Sequence, residues 1–368
     1  MNNLAPSAAL THDQYLDAKF FSSLDGLRFL CIAAVLIHHS PWASLDWAIA
    51  DKGFLGVDMF FVLSGFLIVT LLLRERDQFG EISLKDFYIR RGLRIFPIYF
   101  LYVFLLLGVA PFLSEASSLR GAVEQNWIHL LTFTVNYAGD QTGPFGHLWS
   151  VSVEEQFYLI WPFLEWKGRR WLTPVLFLML GTCVLRDAGI LAGLSPFLSE
   201  SPFSRSLVWG VALAWLLHSK RGCEVAARVV GGRWTSLVIG LVLLAILAQS
   251  GDREGWKAIS TSILLACFVG SVVIRPDHVL AGFFRFGPIT YLGTISYGIY
   301  LYHIPAMAVV KSVGEKLGIE EWSMLYVVLY LVGLTALSAI SFQYFEKPIL
   351  SQRRRFLRST TGRDLDKV

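Results

Sequence analysis

The sequence predicts an all-α polytopic membrane protein of about ten transmembrane helices with both termini cytoplasmic, and three observations predict it. Of the 368 residues, 54% are hydrophobic and only 16% charged, where a soluble chain would carry about a quarter. Mean hydropathy is +0.54. Apolar runs long enough to cross a ~30 Å hydrocarbon core at ~1.5 Å per residue recur along the chain. Lysine and arginine change density from one intervening loop to the next, as the positive-inside rule requires.

The expected spans are 24–44, 53–73, 94–113, 147–166, 171–191, 204–219, 233–250, 257–275, 289–311 and 323–345. A cytoplasmic segment, 1–23, precedes the membrane domain of 24–345, and a basic cytoplasmic tail, 346–368, follows it. Residues 1–21 lack the short apolar core of a cleavable signal peptide. Ser22 and Asp25 have the spacing of a capping box at the start of the first span. Gly53, Gly56 and Gly65 allow other helices to approach the second span closely. Pro162 is expected to kink the fourth span, and Pro305 to interrupt the ninth. The polar stretch 114–146 suits a lid or a short re-entrant piece.

With the N-terminal side taken as inside, 24 of the 32 basic residues fall on that side, and the asymmetry alternates with every expected crossing. The net charge of +4 is modest, and no nucleic-acid partner is expected. The four cysteines show neither disulfide nor zinc spacing, so no metal site and no bound cofactor are expected.

Ionisable groups are expensive within a bilayer, so each is a functional candidate. Arg28 and His39 are 11 residues apart, about three turns, and share one face of the first span. Arg28 stays near the inner surface while His39 reaches the outer half; His38 is turned away. The competing reading is a histidine pair at the outer interface. Asp58 enters from outside to a depth similar to that of His39, where a carboxylate would orient the imidazole. Glu154 and Glu155 lie about two turns into the fourth span, below His147 and Ser152. Adjacent residues cannot both face one cavity squarely, so one of them is expected in the site. In the ninth span His303 reaches the outer half, with Tyr297 and Tyr300 deeper. At the inner surface Arg90, Arg91 and Arg94 cluster, with Arg91 and Arg94 one turn apart, an arrangement suited to a phosphate as well as to plain topological anchoring.

Five segments, "LDGLRFLCIAAVLIHH", "GFLGVDMFFVLSGFLI", "RRGLRIFPIY", "HLWSVSVEEQFYLIWP" and "ISYGIYLYHIP", occur in an order and at depths that resemble the membrane acyltransferase-3 family of carbohydrate O-acyltransferases. The similarity runs almost to "FEKPI". It implies a multi-pass protein of the bacterial cytoplasmic membrane that O-acylates a surface or exported glycan. Acetyl-CoA from the cytoplasm would be the donor substrate, and polysaccharide-assembly proteins are possible partners. It also implies essential roles for Arg28 and His39 and maps the second arginine motif to Arg91 and Arg94. Phe29 stands where the family often has glycine.

On this reading the arginines hold the CoA phosphates, and His39 is the general base, oriented by Asp58 or a glutamate. His303 or a tyrosine steadies the oxyanion. Direct transfer and a covalent relay both remain open. A transporter of a glycan or other solute with a proton-relay interior is the alternative, and a non-catalytic assembly scaffold ranks below it.

Overall fold

The computed structural model describes residues 8–40, 52–114, 117–138, 145–167, 169–187, 190, 204–249 and 256–353. Among them the chain is helical and no strand forms. The far end of the first span, parts of the 114–146 loop and the basic tail beyond Arg353 lie outside the described residues.

Helix α1, His12–Asp17, opens with a capping box between Thr11 and Gln14. The box expected at Ser22 and Asp25 does not form. Helix α2, Leu24–His38, has Ser23 at its N-cap without a side-chain cap bond. The Ser23 hydroxyl meets His278 Nε2 at 3.1 Å instead. Asp25 accepts from Arg28 at 2.5 Å, a charge-assisted bond that outcompetes a neutral cap. His39 is the C-cap of α2 rather than a residue inside it.

Helix α3, Leu55–Phe79, stops at Gly80, whose φ of 75° suits glycine. Helix α4, Leu84–Val109, starts ten residues before the expected span, because Ser83 accepts from Asp86 N at 3.4 Å and donates to its carboxylate at 2.8 Å. Arg90, Arg91 and Arg94 therefore lie inside the helix, not at its entrance. The long loop contains α5, Ser118–Thr132.

Helices α6 (Trp149–Lys167), α7 (Arg169–Asp187), α8 (Arg205–His218), α9 (Lys220–Val230), α10 (Thr235–Leu247) and α11 (Trp256–Ile274) follow. Then come α12 (Ala281–Phe284), α13 (Gly287–Thr294), α14 (Ser296–Leu317), α15 (Met324–Ser341), a π-turn over Phe342–Glu346 and α16 (Lys347–Ser351).

Each of the ten expected segments carries a helix. Among the described residues four helical stretches, Leu55–Phe79, Leu84–Phe112, Trp256–Ile274 and Met324–Ser351, are long and apolar enough to cross a membrane alone. The ninth expected span is broken at Ile295, between α13 and α14. Pro305 does not interrupt it: the proline lies inside α14, as Pro162 lies inside α6. A proline removes one N–H bond, and the remaining turns of a 22-residue helix carry the direction through.

The described residues form two compact units, one of 8–82 with 157–294 and one of 83–156 with 295–353. The core of the first unit is α2, α3, α8 and α11, filled by Leu27, Ile32, Val35, Phe61, Val62, Phe66, Leu207 and Val211. Here the three expected close approaches occur. A Cβ on Gly53 or Gly56 would collide with the Ala34 or Cys31 carbonyl of α2, and one on Gly65 with the Leu207 carbonyl of α8. In the second unit α14 packs on α15 and α4, burying Tyr99, Val103, Leu301 and Tyr330.

Candidate functional site

In the first unit, α2 carries Arg28 and ends at His39. The Arg28 side chain is held by Asp25 one turn earlier, a pair that engages one of its five N–H donors. His39 Nδ1 lies 3.0 Å from the Val35 carbonyl, which can only accept, so Nδ1 carries the proton and Nε2 the lone pair. The partner at Nδ1 is a main-chain carbonyl. Asp58 accepts from Ser206 Oγ at 3.0 Å, and Ser206 meets Ser262 at 3.3 Å, a polar chain joining α3, α8 and α11.

The second unit gathers His147, Ser150, Tyr300 and His303. Tyr300 donates to the His147 carbonyl at 2.6 Å, and its oxygen is 2.6 Å from Ser150 Oγ. His303, fully buried, donates Nδ1–H to the Tyr300 carbonyl at 2.6 Å, which assigns its lone pair to Nε2 as well. The His147 and His303 rings stand edge to face at 4.9 Å. Ser152 is not part of this cluster. It accepts from Val135 N and donates to the Leu148 carbonyl, both at 3.2 Å, and so fastens the loop to α6.

Glu155 separates from Glu154 by its surroundings. Its Oε1 is buried without a hydrogen-bond partner, with Arg91 and Glu154 as the charges that act on it. The Tyr297 hydroxyl is likewise buried without a partner, within electrostatic reach of Glu155, Tyr99, Glu154 and Arg91. Buried polar atoms of this kind carry a desolvation cost.

Sequence reasoning missed Glu346. It ends the π-turn, buried, 3.4 Å from Ser341 Oγ, with Arg94 as the cation acting on it. π-turns concentrate at functional sites. The available signal was a carboxylate directly behind the last apolar run, in "FEKPI". Glu165 was also missed: buried in the first unit, it accepts from Arg76 at 3.1 Å and Trp215 at 3.0 Å. Among the described residues no group of three or more His, Cys, Asp or Glu could hold a metal ion.

A family model described as an acyltransferase domain, Acyl_transf_3, matches residues 21–342. The chain belongs to the acyltransferase-3 family. It is 30% identical over 359 residues to peptidoglycan O-acetyltransferase OatA of Listeria monocytogenes, covering 90% of this chain and 56% of OatA. It is also 30% identical over 366 residues to YrhL of Bacillus subtilis, named a candidate peptidoglycan O-acetyltransferase, covering 91% of this chain and 55% of that one. The chain thus spans about half the length of these curated relatives. No solved structure matches it.

Proposed function

We propose that this acyltransferase-3 protein is a multi-pass enzyme of the bacterial cytoplasmic membrane that O-acetylates a surface or exported glycan, with cytoplasmic acetyl-CoA as donor. Its relatives' names make peptidoglycan the first acceptor to try. The reading rests above all on His39. With Nδ1–H fixed on the Val35 carbonyl, Nε2 is the basic nitrogen. It takes the proton of a sugar hydroxyl as that oxygen attacks the thioester carbonyl. The C–O bond forms, the C–S bond breaks, and the proton passes on to the departing CoA thiolate. The developing oxyanion needs hydrogen-bond donors.

Arg28, Arg91 and Arg94 are the proposed phosphate ligands. Asp25 holds Arg28 in an ion pair, and the Arg91 and Arg94 charges act on Glu155 and Glu346 respectively. Purified protein incubated with acetyl-CoA and a cell-wall oligosaccharide should give acetylated product, read by mass spectrometry. His39→Ala should lower transfer at least ~100-fold while leaving CoA binding near the wild-type level. Wild-type transfer by that variant would sink the assignment of His39.

A further inference from the structure

Helix α9 belongs to no part of the proposed chemistry, yet its surface is sorted into three strips. Gly222, Cys223, Ala226 and Val230 are buried, and the helix packs on α8 and α11. At ~100° per residue these four occupy one sector of the helix. Val225 and Val229 flank that sector on one side, 51% and 70% exposed. Arg221 and Arg228 come next around the same side, both exposed, and Lys220 is exposed at the helix start. Protein, then hydrocarbon, then charge is the order a helix needs when it lies in a membrane interface.

The connection to α10 supports the same placement. α10 is apolar beyond Thr235 and Ser236, and α9 is bent from it by 71°. If α10 follows the membrane normal, α9 runs close to the membrane plane. The junction holds Arg233 and Trp234, both exposed, a pairing of cation and aromatic typical of the headgroup level. Were the two helices one broken span, Arg221 and Arg228 would enter hydrocarbon, where charge is strongly disfavoured.

We infer that α9 is an interfacial helix that binds the headgroups of anionic phospholipids. Four basic residues, Lys220, Arg221, Arg228 and Arg233, face one acid, Glu224, over this stretch. Each cation near an anionic surface contributes about fivefold in affinity. The test uses full-length protein in mixed micelles of phosphatidylcholine and phosphatidylglycerol, with retained lipids counted by native mass spectrometry. Wild type should retain phosphatidylglycerol at least ~10-fold over phosphatidylcholine, and Lys220→Gln/Arg221→Gln/Arg228→Gln should lose most of that preference. Arg221→Lys/Arg228→Lys keeps the charge and should keep the preference, which separates headgroup binding from a folding defect. Lys316→Gln, an exposed cation elsewhere, should change nothing. No preference in wild type, an unchanged preference in the triple variant, loss in the charge-keeping variant, or equal loss in Lys316→Gln would each overturn the inference.

Discussion

Glu155 and Glu154 are adjacent, equally acidic and both in the fourth expected span, so helical geometry alone leaves open which one works. Glu155 is the one we put forward, because its Oε1 is buried without a hydrogen-bond partner. Glu155→Gln, the same shape without the charge, should cut transfer by about 100-fold or more with little change in melting temperature, whereas Glu154→Gln should lose much less. Parallel activity and thermal-unfolding assays on the two variants check this. His278 makes a different prediction. It lies between α11 and α12, held by Ser23 and Ser236, and burial followed by the Arg285 charge lowers its pKa to about 4, with Asp277 opposing. The unfolded chain binds this proton near 6.5 and the folded chain only near 4. The stabilisation is therefore complete above the unfolded value and falls as pH drops from 6.5 toward 4, by about 2 kcal/mol once partial solvation is allowed for. Melting curves across that range should show the slope in wild type and a flatter profile in His278→Gln. Spacing led to the expectation that Arg28 and His39 share one face, and His39 proves to be the C-cap of the helix. Spacing could not reveal that a Val35 carbonyl orients His39, since a main-chain acceptor has no side-chain signature.

Helices were readable as elements because apolar runs are long, while their ends depended on single polar residues. Ser83 moved the start of α4 by ten residues and turned three arginines from an entrance cluster into the wall of a helix. Ser23 and Asp25 were each drawn to stronger partners, which removed the expected cap. The glycine prediction succeeded because close helix approach leaves few alternatives, and it separates two classes of substitution. Gly65→Val forces branched carbons against the Leu207 carbonyl of α8 and should cost ~1–3 kcal/mol, seen as a lower melting temperature in detergent. Gly121, within α5, has nothing within 4 Å of an added Cβ, and Gly121→Ala should stabilise by ~0.5–1 kcal/mol. A neutral Gly65→Val would mean that α3 and α8 are not held at the spacing described.

For the molecule as a whole, the side of the membrane each segment faces sets which residues can meet a cytoplasmic donor. The ten-span reading places 24 of 32 basic residues on one side, and its alternation leaves Lys220 and Lys316 on opposite sides with three crossings between them. Among the described residues four stretches are long and apolar enough to cross; α2, with 15 residues, α8, with 14, and the broken α13–α14 pair do not advertise themselves that way. Charge asymmetry therefore carries more of the topology than hydropathy does. Replacing the four native cysteines, three of them buried, with alanine gives a background for labelling. In intact cells Lys316→Cys should react with a membrane-impermeant maleimide, and Lys220→Cys only after permeabilisation, as both side chains are exposed. Reaction of both from the same side would require an even number of crossings between 220 and 316. It would also remove, or reverse in direction, the crossing that carries His303 into the outer half in the ten-span reading.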